Sequence, residues 1–166
     1  MQEALSPGGV IGVGADHAGV ALKNRVMEHL RGRGLAVQNF GVDSAAPCDY
    51  PALAFRLAEA VARGEVARGI LVCGTGVGMS IAANKVKGIR AALCTNVRTA
   101  VFSRTHNDAN ILVLSGREET AEEPIAIVDA WVETVFSREE RHVRRIAQIA
   151  DYEAAHGRAS PHGTRL

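Results

Sequence analysis

Short apolar runs alternate with stretches of helical period along most of this chain. Residues 10–14, 35–40, 69–73, 89–94 and 110–115 predict five buried strands. Between them, residues 19–33 place Leu22, Val26, Met27 and Leu30 on one helical face and stop at Gly34. Residues 53–63 do the same with Ala54, Leu57, Ala58 and Val61. Helices are also expected over 80–86, 98–105 and 121–136, the last carrying Ile125, Val128, Trp131, Val132 and Val135. Residues 41–51 are rich in turn formers and close on Pro51, which predicts a loop. A helix dense in Arg and Glu, 138–155, ends the pattern, and no internal repeat appears. Strands apolar on both faces that alternate with helices predict a parallel sheet covered on both sides. The expected fold is therefore α/β: a three-layer α/β/α, Rossmann-like domain with a five-stranded parallel sheet and an extending C-terminal helix. One domain is expected over 10–155, with a flexible segment at 1–9 and a disordered tail at 156–166.

Ligands of such folds gather at the C-terminal ends of the strands. Asp16 and His17 follow the first strand, Cys73 ends the third, and Ser115 and Arg117 follow the fifth. Composition narrows the ligand class. A net charge of +1 gives no bulk electrostatic reason to bind nucleic acid or a membrane surface, and no apolar run approaches the roughly 20 residues of a membrane span. The first residues lack the basic and apolar regions of a secretory signal. Cys48, Cys73 and Cys94 make an odd count without a CxxC pair. This argues for reduced thiols in a cytoplasm, and against a disulfide framework or a structural zinc.

The richest segment is Gly69-Ile-Leu-Val-Cys-Gly-Thr-Gly-Val-Gly-Met-Ser80. A strand runs into Cys73, and Gly74, Gly76 and Gly78 follow at every second position before a helix. The dinucleotide fingerprint would need glycine at Met79 or Ile81, and no Gly-Lys-Ser/Thr of a Walker loop follows. The glycines either make a tight turn for packing or aim successive amides at a developing oxyanion. Cys73 is either an apolar filler, as Cys48 and Cys94 are read, or a thiol that nearby amides and a helix start make usable as a base. The segment 103–110 holds His106, Asn107, Asp108 and Asn110, which either cap the backbone or supply a proton-transfer group in His106. Asp16 and His17 either cap a helix or bond a hydroxylated ligand. Arg141 and Arg145, four apart, lie on a solvated helix face or clamp a phosphate, which Arg117 joins if the fold or a partner subunit brings it near.

Asp16-His-Ala-Gly19, Asp49-Tyr-Pro51, Cys73-Gly-Thr-Gly-Val-Gly78, Ile81-Ala-Ala-Asn-Lys85, His106-Asn-Asp-Ala-Asn110 and Arg141-His142…Arg145 occur in that order. Over roughly residues 10–150 the chain resembles the type B ribose-5-phosphate isomerases of the ribose/galactose isomerase family. The resemblance implies an aldose–ketose isomerase acting on D-ribose 5-phosphate and D-ribulose 5-phosphate through an enediolate, without metal or cofactor. It implies Cys73 as the base between C2 and C1, His106 as the ring-opening acid/base, and Thr75 as a helper of proton movement among the sugar oxygens. Amides of Gly74, Thr75, Gly76, Val77 and Gly78 would hold the enediolate. Asp16, His17, Tyr50 and Asn107 fall on substrate-contacting positions, and Arg117, Arg141 and Arg145 on phosphate-binding ones. One subgroup of the family carries a glutamate base at the position of Met79, so the cysteine subgroup is the better match.

The resemblance also implies a cytoplasmic homodimer, or a tetramer, with active sites shared between subunits and the C-terminal helix reaching the partner. Two other readings stand beside it. One is an isomerase of a hexose 6-phosphate, allose or galactose. The other is a non-catalytic phosphosugar-binding module of similar fold, which would not require Cys73 and His106 together.

Overall fold

The computed structural model describes residues 9–117 and 123–156. Strands β1 (Ile11–Ala15), β2 (Val37–Asn39), β3 (Arg68–Cys73), β4 (Ala91–Leu93) and β5 (Ile111–Ser115) form one parallel sheet in the order β2-β1-β3-β5-β4. Successive strands are joined by α1 (Val20–Gly32), α2 (Tyr50–Ala62), α3 (Val77–Ala83) and α4 (Val97–Asn107), and α5 (Pro124–Glu133) and α6 (Glu140–His156) follow. Parallel neighbours require such crossovers. The α/β architecture and its five parallel strands are those that the hydrophobic pattern predicts.

Alternation along the strands divides the core into two layers. Ile11, Val13, Ile70, Val72, Leu112 and Leu114 face one way and pack with Leu22, Val26 and Leu30 of α1 and Ile127, Val128 and Trp131 of α5. Leu71, Cys73, Ile111 and Val113 face the other way, against Ala54, Leu57 and Ala58 of α2 and Met79 and Ala83 of α3. On this second face β1 offers Gly12, where a Cβ would collide with the Leu57 side chain. The missing side chain lets α2 sit close on the middle of the sheet, and burying a leucine there contributes about 1.5–3 kcal/mol.

The boundaries differ from the sequence pattern where local chemistry intervenes. β2 and β4 keep only three residues each because they are edge strands, paired on one side. α2 starts at Tyr50 rather than 53. Pro51 occupies its first turn, where a missing N–H leaves no hydrogen bond unmade. α3 starts at Val77 rather than 80, because Gly76 adopts φ 80° and turns the chain directly into the helix. α4 runs two residues past 105, to Asn107. α5 ends at Glu133, since Thr134 is extended. The expected flexible start lies outside the described residues except for Gly9, and so does the expected disordered tail after His156, which is helical.

The chain leaves β1 outward to β2 and resumes at β3 on the other side of β1. This reversal opens a crevice at the C-terminal ends of β1 and β3, where ligands of open α/β sheets bind. Among the described residues no helix is long and apolar enough to cross a membrane.

Candidate active site

At the end of β1 the Asp16 carboxylate turns the chain into α1. Its Oδ1 accepts the N–H groups of Ala18 (2.9 Å) and Gly19 (3.2 Å), and the side chain is buried. Asp16 is not the helix cap of the sequence reading: the N-cap of α1 is Gly19, without a side-chain capping bond, and Asp16 closes the turn before it through Oδ1, so these two bonds do not engage Oδ2. His17 is half-buried and leans on the loop before α2. Its Nδ1 accepts the backbone N–H of Cys48 at 3.2 Å, with Cys48 Sγ at 3.9 Å. An Nδ1 that accepts places the proton of the neutral ring on Nε2, so His17 presents a donor on its outer edge. Cys48 is therefore not the buried filler of the sequence reading. It is half-buried on the loop before α2 and holds the histidine through its main chain. Cys94 is a filler: it is 1% exposed, and burial pushes its thiol pKa up.

Cys73 is the last residue of β3, 4% exposed, and in register with Ser115 of β5. The carbonyls around it are tied to β5. Cys73 O accepts from Gly116 N–H (2.8 Å), and Gly74 O accepts from Ser115 Oγ–H (2.7 Å) and Arg117 N–H (3.0 Å). With its carbonyls drawn to one side, the chain passes through Gly76 and enters α3. Ser80 N–H bonds Gly76 O, so the N–H groups of Val77, Gly78 and Met79 precede the first intrahelical bond. That of Val77 is met by Thr75 Oγ1 at 3.3 Å. The Arg117 stem crosses above Gly74, its Cδ lying 3.7 Å from where a Cβ would stand. The half-exposed Tyr50 ring lies on Gly78, where a Cβ would come within 2.6 Å of it. Asp16, His17, Tyr50, Cys73, Gly74, Thr75, Gly76, Val77, Gly78 and Arg117 thus surround one crevice. Met79 is fully buried in the layer beneath it.

His106, Asn107, Arg141 and Arg145 are not there. Gly69 pairs with Ile111 and Cys73 with Ser115, so the ends of this strand pair are about 13 Å apart. His106 precedes Ile111 and sits at the Gly69 end. Cys73 and His106 of one chain therefore occupy opposite ends of its sheet. The sequence reading puts His106 in a connector, whereas the structure puts it in the last turn of α4. There it is the middle of a stack. Phe102 lies 4.7 Å away on one side, with Arg98 over its outer face, and His142 of α6 lies 4.4 Å away on the other. His142 is buried, and its Nε2 has no hydrogen-bond partner among the described residues. Burial lowers the His142 pKa, with His106 and Arg141 adding to the effect and Glu139 opposing it. Arg141, beside His142, pairs with Glu139 at 2.8 Å, and Arg141 and Arg145 are both exposed on α6.

Two further groups order the site and are not picked out by the motifs. Lys23 of α1 is fully buried and reaches Val42 O (2.8 Å), Asp43 Oδ1 (2.5 Å) and Asn39 Oδ1 (3.3 Å), fixing the start of the loop that carries Cys48 and leads to Tyr50. Its signal was present, since position 23 lies on the same helical stripe as Val26, Met27 and Leu30. Arg90 clamps the turn after His106, and nothing in its sequence neighbourhood marks it.

The family described as Ribose/Galactose Isomerase matches residues 11–149. Ribose-5-phosphate isomerase B of Escherichia coli K12 is 46% identical over 143 residues, which are 86% of this chain and 95% of that protein. The protein of the same name from Mycobacterium tuberculosis H37Rv is 43% identical over 145 residues, 87% of this chain and 90% of that one. Among solved structures, ribose-5-phosphate isomerase B of Clostridium thermocellum aligns with a TM-score of 0.85 at 46% identity, covering 88% of this chain and 98% of that chain. The Mycoplasma genitalium enzyme with bound ribulose-5-phosphate aligns at 0.82 and 43% identity, covering 87% and 96%. Sequence and fold agree over the same span, and the chain belongs to the ribose/galactose isomerase family.

Proposed function

We propose that this protein interconverts D-ribose 5-phosphate and D-ribulose 5-phosphate. The observation that carries the reading is Cys73: a thiol at the strand switch point, beside a turn whose carbonyls at Cys73 and Gly74 are bonded to β5 and the residues after it and which leads into the first amides of α3. His106 donates a proton to the ring oxygen as the C1 hydroxyl gives one up, and the furanose opens. The Cys73 thiolate then takes the proton from C2, and the electron pair moves into an enediolate stabilised by amides of Gly74 to Gly78. Thr75 passes a proton from O2 to O1, and Cys73 returns its proton to C1. The Oδ2 of Asp16, the outer N–H of His17, Tyr50 and Asn107 contact the sugar. Arg117, Arg141 and Arg145 bind the phosphate, whose distance from the reacting carbons lets binding energy orient them.

The working unit in this proposal is a two-fold dimer, in which each site takes Cys73 and the crevice from one copy and His106, Asn107 and the α6 arginines from the other. Two observations support it. Cys73 and His106 lie at opposite ends of one sheet. In addition, among the described residues of α6 only His142 is buried, and Ile149 and Tyr152, three apart on one helical face, are left exposed for a second copy to cover. A cytoplasmic, reducing location fits three free cysteines, one of them the proposed base.

Steady-state assays with ribose 5-phosphate, allose 6-phosphate and galactose 6-phosphate test the assignment. The pentose phosphate is expected to have the highest kcat/KM, and a preference for either hexose phosphate would overturn it. Cys73→Ala is expected to remove about 10²–10⁴-fold of the rate while ribose 5-phosphate still binds.

A further inference from the structure

Asp108 closes α4 with φ 45°, the left-handed region that few residues other than glycine enter and that Asp and Asn tolerate best. Its N–H bonds Arg104 O at 3.1 Å, and the N–H of Ala109 bonds Ser103 O at 2.9 Å, which ends the helix immediately after His106 and Asn107. Two arginines grip the carboxylate, Arg104 at 2.8 Å and Arg90 at 3.3 Å. Each also holds main chain of the same turn. Arg90 donates to the carbonyls of Asn107 (2.9 Å) and Asp108 (2.8 Å), and Arg104 donates to that of Ala109 (2.6 Å). Arg90 is itself fixed, because its N–H bonds Asn110 Oδ1 at 2.8 Å. Arg104 is nearly fully buried against Trp131, whose ring also lies 5.5 Å from the Arg68 guanidinium.

We infer that Asp108 is a positioning residue: its carboxylate locks Arg90 and Arg104 around the end of α4 and so sets the direction in which His106 projects. This rests on the proposed ring-opening role of His106. A left-handed turn needs no carboxylate, since glycine or asparagine makes it. What the charge adds is a common counter-ion for two guanidiniums that would otherwise repel each other. Burial, with the Arg104 charge next to it, lowers the Arg68 pKa to about 10, while Asp108 opposes that shift, so Asp108 serves the buried cations behind the turn as well. Without the carboxylate, the more exposed Arg90 is free to leave the Asn107 carbonyl, and the last turn of α4 loses its tie.

Asp108→Asn keeps the shape and the left-handed preference and removes the charge. The experiment measures kcat and KM for ribose 5-phosphate in the wild type, Asp108→Asn, His106→Asn and the double variant. If Asp108 acts through His106, the substitution lowers kcat/KM at least about tenfold in the wild-type background and less than about twofold when His106 is already gone. A loss under about twofold in the wild-type background overturns the inference. Equal losses in both backgrounds also overturn it, because a purely structural weakening would be additive. Wild-type turnover by His106→Asn removes the ring-opening role itself, and that arm is read without reference to Asp108. If Asp108→Asn does not fold, Arg90→Gln carries the same comparison with the same thresholds, since Arg90 is partly exposed and grips the same turn.

Discussion

A methyl group added at Gly74 would meet nothing closer than 3.7 Å, whereas at Gly76 it would lie 2.5 Å from Leu93, on a backbone at φ 80°. At Gly78 it would meet the Tyr50 ring at 2.6 Å. Three glycines that look equivalent in the sequence thus serve as an open floor under Arg117, a left-handed hinge, and a platform for an aromatic ring. Gly78 lies inside α3, where alanine is the better helix former by about 1 kcal/mol. Gly78→Ala is therefore expected to leave the Tm unchanged or raised while KM for the sugar phosphate rises several-fold, because Tyr50 must move. In a Tyr50→Ala background the same substitution should leave KM unaltered, and thermal melts beside steady-state kinetics read both effects. Gly76→Ala is expected to do the reverse, lowering stability by about 1–3 kcal/mol through backbone strain. The spacing of these glycines is plain in the sequence. Their separate duties are not, since Leu93 and Tyr50 arrive from other elements.

At the scale of elements, the loop between β2 and α2 shows how a buried charge shapes the crevice. The hydrogen bond from Lys23, then that from Asn39 and the charge of Lys23, hold the Asp43 carboxyl below its ordinary 3.8. A carboxyl whose folded pKa is depressed contributes stability that is complete above its unfolded value and is lost as pH falls through the lower folded value. Wild-type stability is therefore expected to decline below about pH 4. Asp43→Asn should be less stable than wild type at neutral pH, because the fully buried Lys23 loses its counter-charge, and its decline below pH 4 should be shallower. Urea denaturation at a series of pH values checks this, and parallel curves would refute it. α6 teaches a second lesson about elements. Its helical course was clear from the sequence, but that cannot show that His142 would be its one buried residue among those described.

For the molecule as a whole, the separation of Cys73 from His106 makes the proposed dimer testable without a structure of it. Cys73→Ala and His106→Asn chains, each inactive alone, would form hybrids in which one of the two sites keeps both residues. Random mixing makes half of the dimers hybrid, so about a quarter of wild-type activity should return. If mixed and refolded chains stay inactive, each site is built within one chain.

The strand and helix periods, the parallel sheet and the ordered motifs were all set locally. Hydrophobic alternation and glycine chemistry act over a few residues, so the sequence alone determined them. The tertiary structure decided what depends on distant segments meeting: the stack of His106 on His142, the Cys48 amide that fixes His17, and the arginine clamp around Asp108. It also decided that His106 and Cys73 lie at opposite ends of the strands. Strand order and register set that distance, and no spacing along a chain encodes which end of a sheet a residue reaches.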